Sequence, residues 1–218
     1  MMFRSAYSPP LRGSALKCKI STRKPQCYHF AVGNAGYVLV GGRSSRMGRD
    51  KALLPFRGGA LAQSVARAVS AAAGSATLVG DPVRYAGLGY PAIPDLYPGE
   101  GPLGGILTAL RNTSADWNLI TACDMPRLDP ELLRGWLKTA AESGADALLP
   151  VGPEGRPEPL CALYHRRCLE PLEAAFAAGI RKVTAALETV RTVRLPVAEV
   201  SLFQNVNTPE EWAGHAAG

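Results

Sequence analysis

Cysteine is scarce and unpatterned in this chain. Cys18, Cys27, Cys123, Cys161 and Cys168 make an odd count of five, and no two form a C-x-x-C pair. That argues against structural zinc and against a disulfide framework, and fits a reducing, cytoplasmic setting. No apolar run reaches the ~18–20 residues that cross a bilayer, so the sequence offers no membrane span. His29, His165 and His215 stand without a partner pattern, and no role is assigned to them. Acidic residues are missing from positions 1–35, which carry Arg4, Arg12, Lys17, Lys19, Arg23 and Lys24. Those are six of the 24 basic residues, and the other 18 are balanced by 18 acidic ones. The net charge of +6 therefore belongs to the N-terminal stretch alone, and the rest of the chain has no basic excess of the kind that grips nucleic acid.

Residues 1–35 read as a tail and residues 36–218 as one domain. Ser, Arg and Lys without acids suit an organelle transit peptide, and the stretch lacks the apolar core of a secretory signal. It also suits an unstructured polybasic arm. The third and preferred reading is a start assigned too early, with Val32 a candidate true start, because the first strand-like run begins only at Tyr37. The 218 residues, 47% of them hydrophobic, suffice for one sizeable core.

Strand-like and helix-like segments alternate along the remainder. Short apolar runs bounded by Gly, Pro or Asp predict strands at Tyr37–Val40, Ala76–Val79, Pro91–Pro94, Trp117–Ala122, Asp146–Val151, Leu160–Tyr164 and Thr192–Val197. Apolar stripes at three- and four-residue spacing predict helices through Leu61–Ala72, Leu132–Ala140 and Leu169–Phe176. Asp129 before Pro130 reads as the N-cap of the second, with proline in the first helical position. This order predicts an α/β fold, a mostly parallel central sheet flanked by helices, with ligands at the carboxyl ends of the strands.

Both common phosphate-binding motifs are absent. Gly42 to Gly48 is too long a spacing for G-x-x-x-x-G-K-[ST], Lys51 is followed by Ala52, and no G-x-G-x-x-G occurs. What is present is Val38-Leu39-Val40-Gly41-Gly42-Arg43-Ser44-Ser45-Arg46-Met47-Gly48-Arg49-Asp50-Lys51, a buried strand running into a glycine turn and a basic, hydroxyl-bearing loop. Backbone N–H groups in such a turn form a concave anion site, and glycine lets a ligand come close to the main chain. Arg46 and Lys51 add fixed positive charge where phosphates would lie. Leu39, Val40, Gly41, Gly42 and Lys51 are thus candidate nucleotide-binding residues. Asp124, in Cys123-Asp124-Met125-Pro126, ends a second buried strand. It is either a Mg²⁺ ligand beside phosphates or a cap for the next turn. Asp95 precedes a Gly/Pro-rich loop, Tyr97–Ile106, that opens a helix continuing to Leu110. It reads as a nucleotide contact or as an Asx turn. In Asn205-Val206-Asn207-Thr208-Pro209-Glu210-Glu211, Thr208, Pro209 and Glu211 are ordinary helix-start signals.

The long pattern L-x-G-G-x-S-x-R-M-G-x-D-K resembles the nucleotidyltransferases with a Rossmann-like fold, and most closely the molybdenum cofactor guanylyltransferases, over about residues 36 to 215. The resemblance implies GMP transfer from GTP to molybdenum-bound molybdopterin with release of pyrophosphate, and transient contacts with cofactor-assembly proteins. It implies catalytic roles for Arg46, Lys51 and Asp124. It places Mg²⁺ on Asp124 with Asn207, and Asp95 on the nucleotide. Related cytidylyltransferases carry Ala-Ala-Gly where this chain has Val40-Gly41-Gly42, and usually differ at Gly101-Pro102-Leu103; both departures favour guanine. The segment Arg156–Tyr164 resembles the acceptor side, and Arg181-Lys182 a basic pair near the pterin. After Leu78-Val79 relatives often place an Asn against the nucleotide, and this chain has Gly80. Two rivals remain at this stage: an enzyme of the same fold using CTP or a sugar phosphate, and a non-catalytic nucleotide-binding assembly protein.

Overall fold

The computed structural model describes residues 33–41 and 50–203, all within one compact unit. Seven strands form its main sheet: β1 (Ala35–Leu39), β4 (Thr77–Val79), β5 (Ala92–Ile93), β6 (Trp117–Ala122), β7 (Ala147–Val151), β8 (Cys161–His165) and β9 (Thr192–Pro196). Two more, β2 (Pro55–Phe56) and β3 (Gly59–Ala60), make a small separate hairpin. The sheet order is β5-β4-β1-β6-β8-β7-β9. The run β5-β4-β1-β6 is parallel, and β8 lies antiparallel between β6 and β7. Strand β9 then pairs parallel with β7. The sheet is thus mostly parallel, as expected, with one reversed strand. Strand β1 starts at Ala35, opposite Asn118, one residue inside the stretch read as tail.

Alternation of side chains along the strands splits the core into two layers. Val38, Leu119, Leu148 and Leu163 point to one face, where α1 (Leu61–Ala73) and α4 (Pro130–Ser143) cover them with Val65, Val69, Leu133 and Trp136. Tyr37, Leu39, Ile120, Leu149 and Tyr164 point to the other, under Leu103, Ile106 and Leu107 of α3 (Pro102–Arg111) and Leu172 of α5 (Leu169–Ala177). Two one-turn helices, α2 (Pro82–Tyr85) and α6 (Val183–Ala186), complete the set. Helix α1 presses directly on β1: a Cβ on Gly36 would lie 2.3 Å from Val69 Cγ1, so only glycine fits there. Asp129 caps α4 as expected, its carboxylate accepting the Glu131 N–H at 2.9 Å, with Pro130 at the first helical position.

Candidate active site

The carboxyl ends of β5, β4, β1 and β6 share one edge of the sheet, and those candidate residues that are described collect there. Beyond β1 the chain stays on the sheet for one more residue, where Val40 N–H donates to Val79 O at 3.1 Å. Leu39 and Val40 are committed to the scaffold. Their side chains are buried on opposite faces. Leu39 O accepts the Cys123 N–H, and Val40 O accepts the Tyr85 hydroxyl. Gly41 is exposed, and a Cβ there would meet nothing nearer than Val79 O at 3.9 Å. Packing within the fold therefore does not demand glycine at position 41. Gly42 and Arg46 lie outside the described residues, as does Asn207.

Asp50 accepts the Ala52 N–H at 3.1 Å and so caps a single 3-10 turn, Lys51–Leu53. That turn aims Lys51 across the sheet edge, and its Nζ lies 3.0 Å from Asp124 Oδ2. Both side chains are mostly enclosed, at 15% and 21% exposure, so the pair is less screened than a surface ion pair. Residues 73 positions apart, each singled out by sequence, are thus joined. The other carboxylate oxygen, Asp124 Oδ1, is buried and has no hydrogen-bond partner. A buried acceptor left over in this way suits a hard divalent cation, which needs only one or two protein oxygens when phosphates and water supply the rest. Among the described residues no group of three or more His, Cys, Asp or Glu could hold a metal unaided.

The neighbouring thiol is inert. Burial, and then the charge of Asp124, push Cys123 up to about 12, so it stays protonated and offers no nucleophile. Glu158, in the segment before β8, is also raised, chiefly by burial and further by Asp124, against the opposing pull of Arg156. That influence places a second carboxyl group within electrostatic reach of Asp124.

Asp95 follows β5. Its Oδ1 accepts both the Tyr97 N–H and the Thr108 hydroxyl at 3.0 Å, and Thr108 Oγ1 in turn accepts the Leu96 N–H at 3.0 Å. The Asx-turn alternative is therefore present in fact, and this oxygen fixes the loop that leads to α3. Sequence reasoning missed Thr108, a fully buried hydroxyl inside an otherwise apolar helix; that polar interruption was the available signal. Arg181, likened to one of a basic pair near the pterin, also makes contacts within the fold. Its Nε donates to Glu100 Oε2 at 2.7 Å, its Nη1 donates to Phe176 O at 2.7 Å, and its guanidinium lies 3.8 Å over the Phe176 ring. It binds the Asp95–Gly101 loop to the end of α5 instead of presenting an open cation. Gly80 has its own reason: a Cβ there would lie 2.7 Å from Val40 Cγ2 and 2.8 Å from Tyr85 Cε2. The tyrosine ring fills the space that a side chain at position 80 would need.

A family model described as the MobA-like NTP transferase domain matches residues 36–191. A probable molybdenum cofactor guanylyltransferase from Deinococcus radiodurans is 36% identical over 178 residues, 81% of this chain and 90% of that protein. Another from Trichormus variabilis is 39% identical over 184 residues, with 81% and 87% covered. Among solved structures, molybdopterin-guanine dinucleotide biosynthesis protein A from Archaeoglobus fulgidus shares 32% identity at a TM-score of 0.72, over 84% of this chain and 97% of that one. Matched by the family model through nearly all of its sheet, and by relatives that it spans almost end to end, this chain belongs to the MobA-like nucleotidyltransferases.

Proposed function

We propose that the chain transfers GMP from GTP to molybdenum-bound molybdopterin. A terminal phosphate oxygen of the pterin attacks the α-phosphorus of GTP. The new P–O bond forms as the bond to the β-phosphate oxygen breaks, and pyrophosphate leaves. The products are the guanine dinucleotide form of the cofactor and pyrophosphate. No covalent enzyme intermediate is needed, because positioning and charge neutralisation carry transfers of this type. The observation that carries the reading is the enclosed Lys51–Asp124 pair at the carboxyl edge of a MobA-like sheet.

Lys51 neutralises the triphosphate, and the positive charge of Arg46 adds to it. Asp95 orders the loop that leads to α3 against the base. A divalent cation, Mg²⁺ in this reading, would be held by Asp124, with Asn207 from the segment outside the described residues; when bound it would offset negative charge on the phosphate oxygens. The guanine preference rests on Gly41-Gly42 and on Gly101-Pro102-Leu103, where the loop runs into the first turn of α3. The reaction belongs in the cytoplasm, where free thiols such as Cys123, Cys161 and Cys168 persist, with passing contacts to proteins that hand the cofactor on. The basic segment before β1 takes no part.

The deciding experiment measures pyrophosphate release with GTP, CTP, ATP and UTP in the presence of purified molybdenum-molybdopterin. GTP should exceed the others in kcat/KM by orders of magnitude, since a site built on hydrogen bonds to a base edge leaves buried groups unpaired with the wrong base. Equal values for CTP and GTP would overturn the guanylyl assignment.

A further inference from the structure

The chain leaves the sheet after Val40, and beyond Gly41 the described residues resume at Asp50, immediately before Lys51. One buried hydroxyl touches both points. The Tyr85 hydroxyl lies 2.8 Å from Val40 O and 2.9 Å from Asp50 Oδ2. Tyr85 is 3% exposed and sits on α2, whose first turn is fixed by Asp81, which accepts the Val83 N–H at 2.9 Å and the Arg84 N–H at 3.3 Å. Arg84, the preceding residue, brings Nη1 to 3.4 Å from the same Asp50 oxygen. Asp50 Oδ1, on the far side of that carboxylate, caps the turn that carries Lys51. A continuous path therefore runs from the end of β1 through Tyr85 and Asp50 to the lysine.

We propose that Tyr85 is a positioning residue for GTP binding, acting on Lys51 by anchoring Asp50 to the end of β1. The proposal rests on Lys51 gripping the triphosphate. The ring is held by more than its hydroxyl, because Gly80 leaves the space into which the Cε2 edge fits. Burial, and then the nearby Asp50 carboxylate, raise the Tyr85 hydroxyl well above the ordinary tyrosine range, so it remains a donor at every working pH. Its single proton faces two acceptors, the Val40 carbonyl and the Asp50 carboxylate. Removing it leaves the Asp50 carboxylate with Arg84 on its exposed side and, among the described residues, without a side-chain bond to the end of β1.

The test is a double-mutant cycle read by equilibrium GTP binding without acceptor, so that it does not depend on turnover. Tyr85→Phe keeps the ring and its packing and removes only the hydroxyl. It should weaken GTP binding about five- to tenfold, the scale of one ordinary intramolecular hydrogen bond, and leave the acceptor KM unchanged. In a Lys51→Ala background, where the lysine is gone, the same substitution should weaken binding less than about twofold. If Tyr85→Phe lowers the melting temperature enough to compromise the assay, Asp50→Asn replaces it in the same cycle, with the same expected non-additivity. Unchanged GTP affinity in Tyr85→Phe overturns the proposal, and so do effects that multiply in the double variant. A chain that binds GTP but transfers nothing would instead count against the reaction proposed above.

Discussion

Asp124 offers two oxygens with different fates: Oδ2 meets Lys51, and Oδ1 is buried without a partner. If that second oxygen serves a divalent cation, Asp124→Asn should keep the fold and lose turnover by orders of magnitude, on the order of several kcal/mol of transition-state stabilisation. Mn²⁺ binding in the presence of GTP, followed by electron paramagnetic resonance, should weaken in parallel. Near-normal turnover at saturating Mg²⁺ would remove Asp124 from the site. Lys51→Ala tests the other half of the pair. Loss of one preorganised donor in an enclosed site costs ~2–4 kcal/mol, so kcat/KM should fall about 30- to 1,000-fold. Asp124 is legible in sequence because it follows a strand end beside proline, and Lys51 because it closes a glycine-bearing basic loop. Tyr85 was not, because nothing in Pro82-Val83-Arg84-Tyr85 reveals that the ring returns to a strand end 45 positions earlier.

At the scale of elements, the loop Asp95–Gly101 is held from three directions. Asp95 and Thr108 bind its start to α3, and a Cβ on Gly104 would lie 2.8 Å from Tyr97 Cβ, so the loop packs straight onto the first turn of that helix. Tyr97 also meets Phe176 ring to ring, with centroids 4.8 Å apart, and Arg181 closes the far side through Glu100. Arg181→Ala should therefore raise the KM for GTP about three- to tenfold, the scale of an exposed ion pair plus a cation–π contact, with the acceptor KM unchanged. The opposite split would return Arg181 to the pterin side. All seven strands of the main sheet were legible within a residue or two, because a short apolar run closed by Gly, Pro or Asp is a strong local signal. The direction of β8 was not, since pairing sense is a property of two segments and neither carries it alone. The β2–β3 hairpin escaped because strands of two residues show no alternation; its turn is instead marked by positive φ at Arg57 and Gly58.

The molecule as a whole carries an acid-sensitive knot at the end of the sheet opposite the site. His165 closes β8 and is buried; burial first, and the Arg167 guanidinium second, hold its imidazole below the usual histidine range. Nδ1 accepts the Arg167 N–H at 3.1 Å. Asp146 is net lowered: burial pulls upward, but the Arg167 side chain and the Arg191 N–H outweigh it. The signs agree. A histidine kept neutral in the fold contributes stability that is complete above its unfolded pKa of about 6.5 and falls as pH drops below it; a lowered aspartate contributes stability present above about pH 4 and lost below. Melting temperature should decline from about pH 6.5 to 5, and more gently in His165→Gln, whose melting temperature at neutral pH is lower. Parallel curves would assign the decline elsewhere. At the site end, the reversed strand has a different consequence. Because β8 runs against its neighbours, the segment entering it, Gly152–Leu160, is delivered to the edge where β1 and β6 finish, and not to the opposite one. The sheet is thereby divided into a parallel half, β5-β4-β1-β6, and a half, β8-β7-β9, whose entry loop opens on the same edge. A change confined to that one connection leaves the paired ends of β1 and β6, and with them Asp124, where they are.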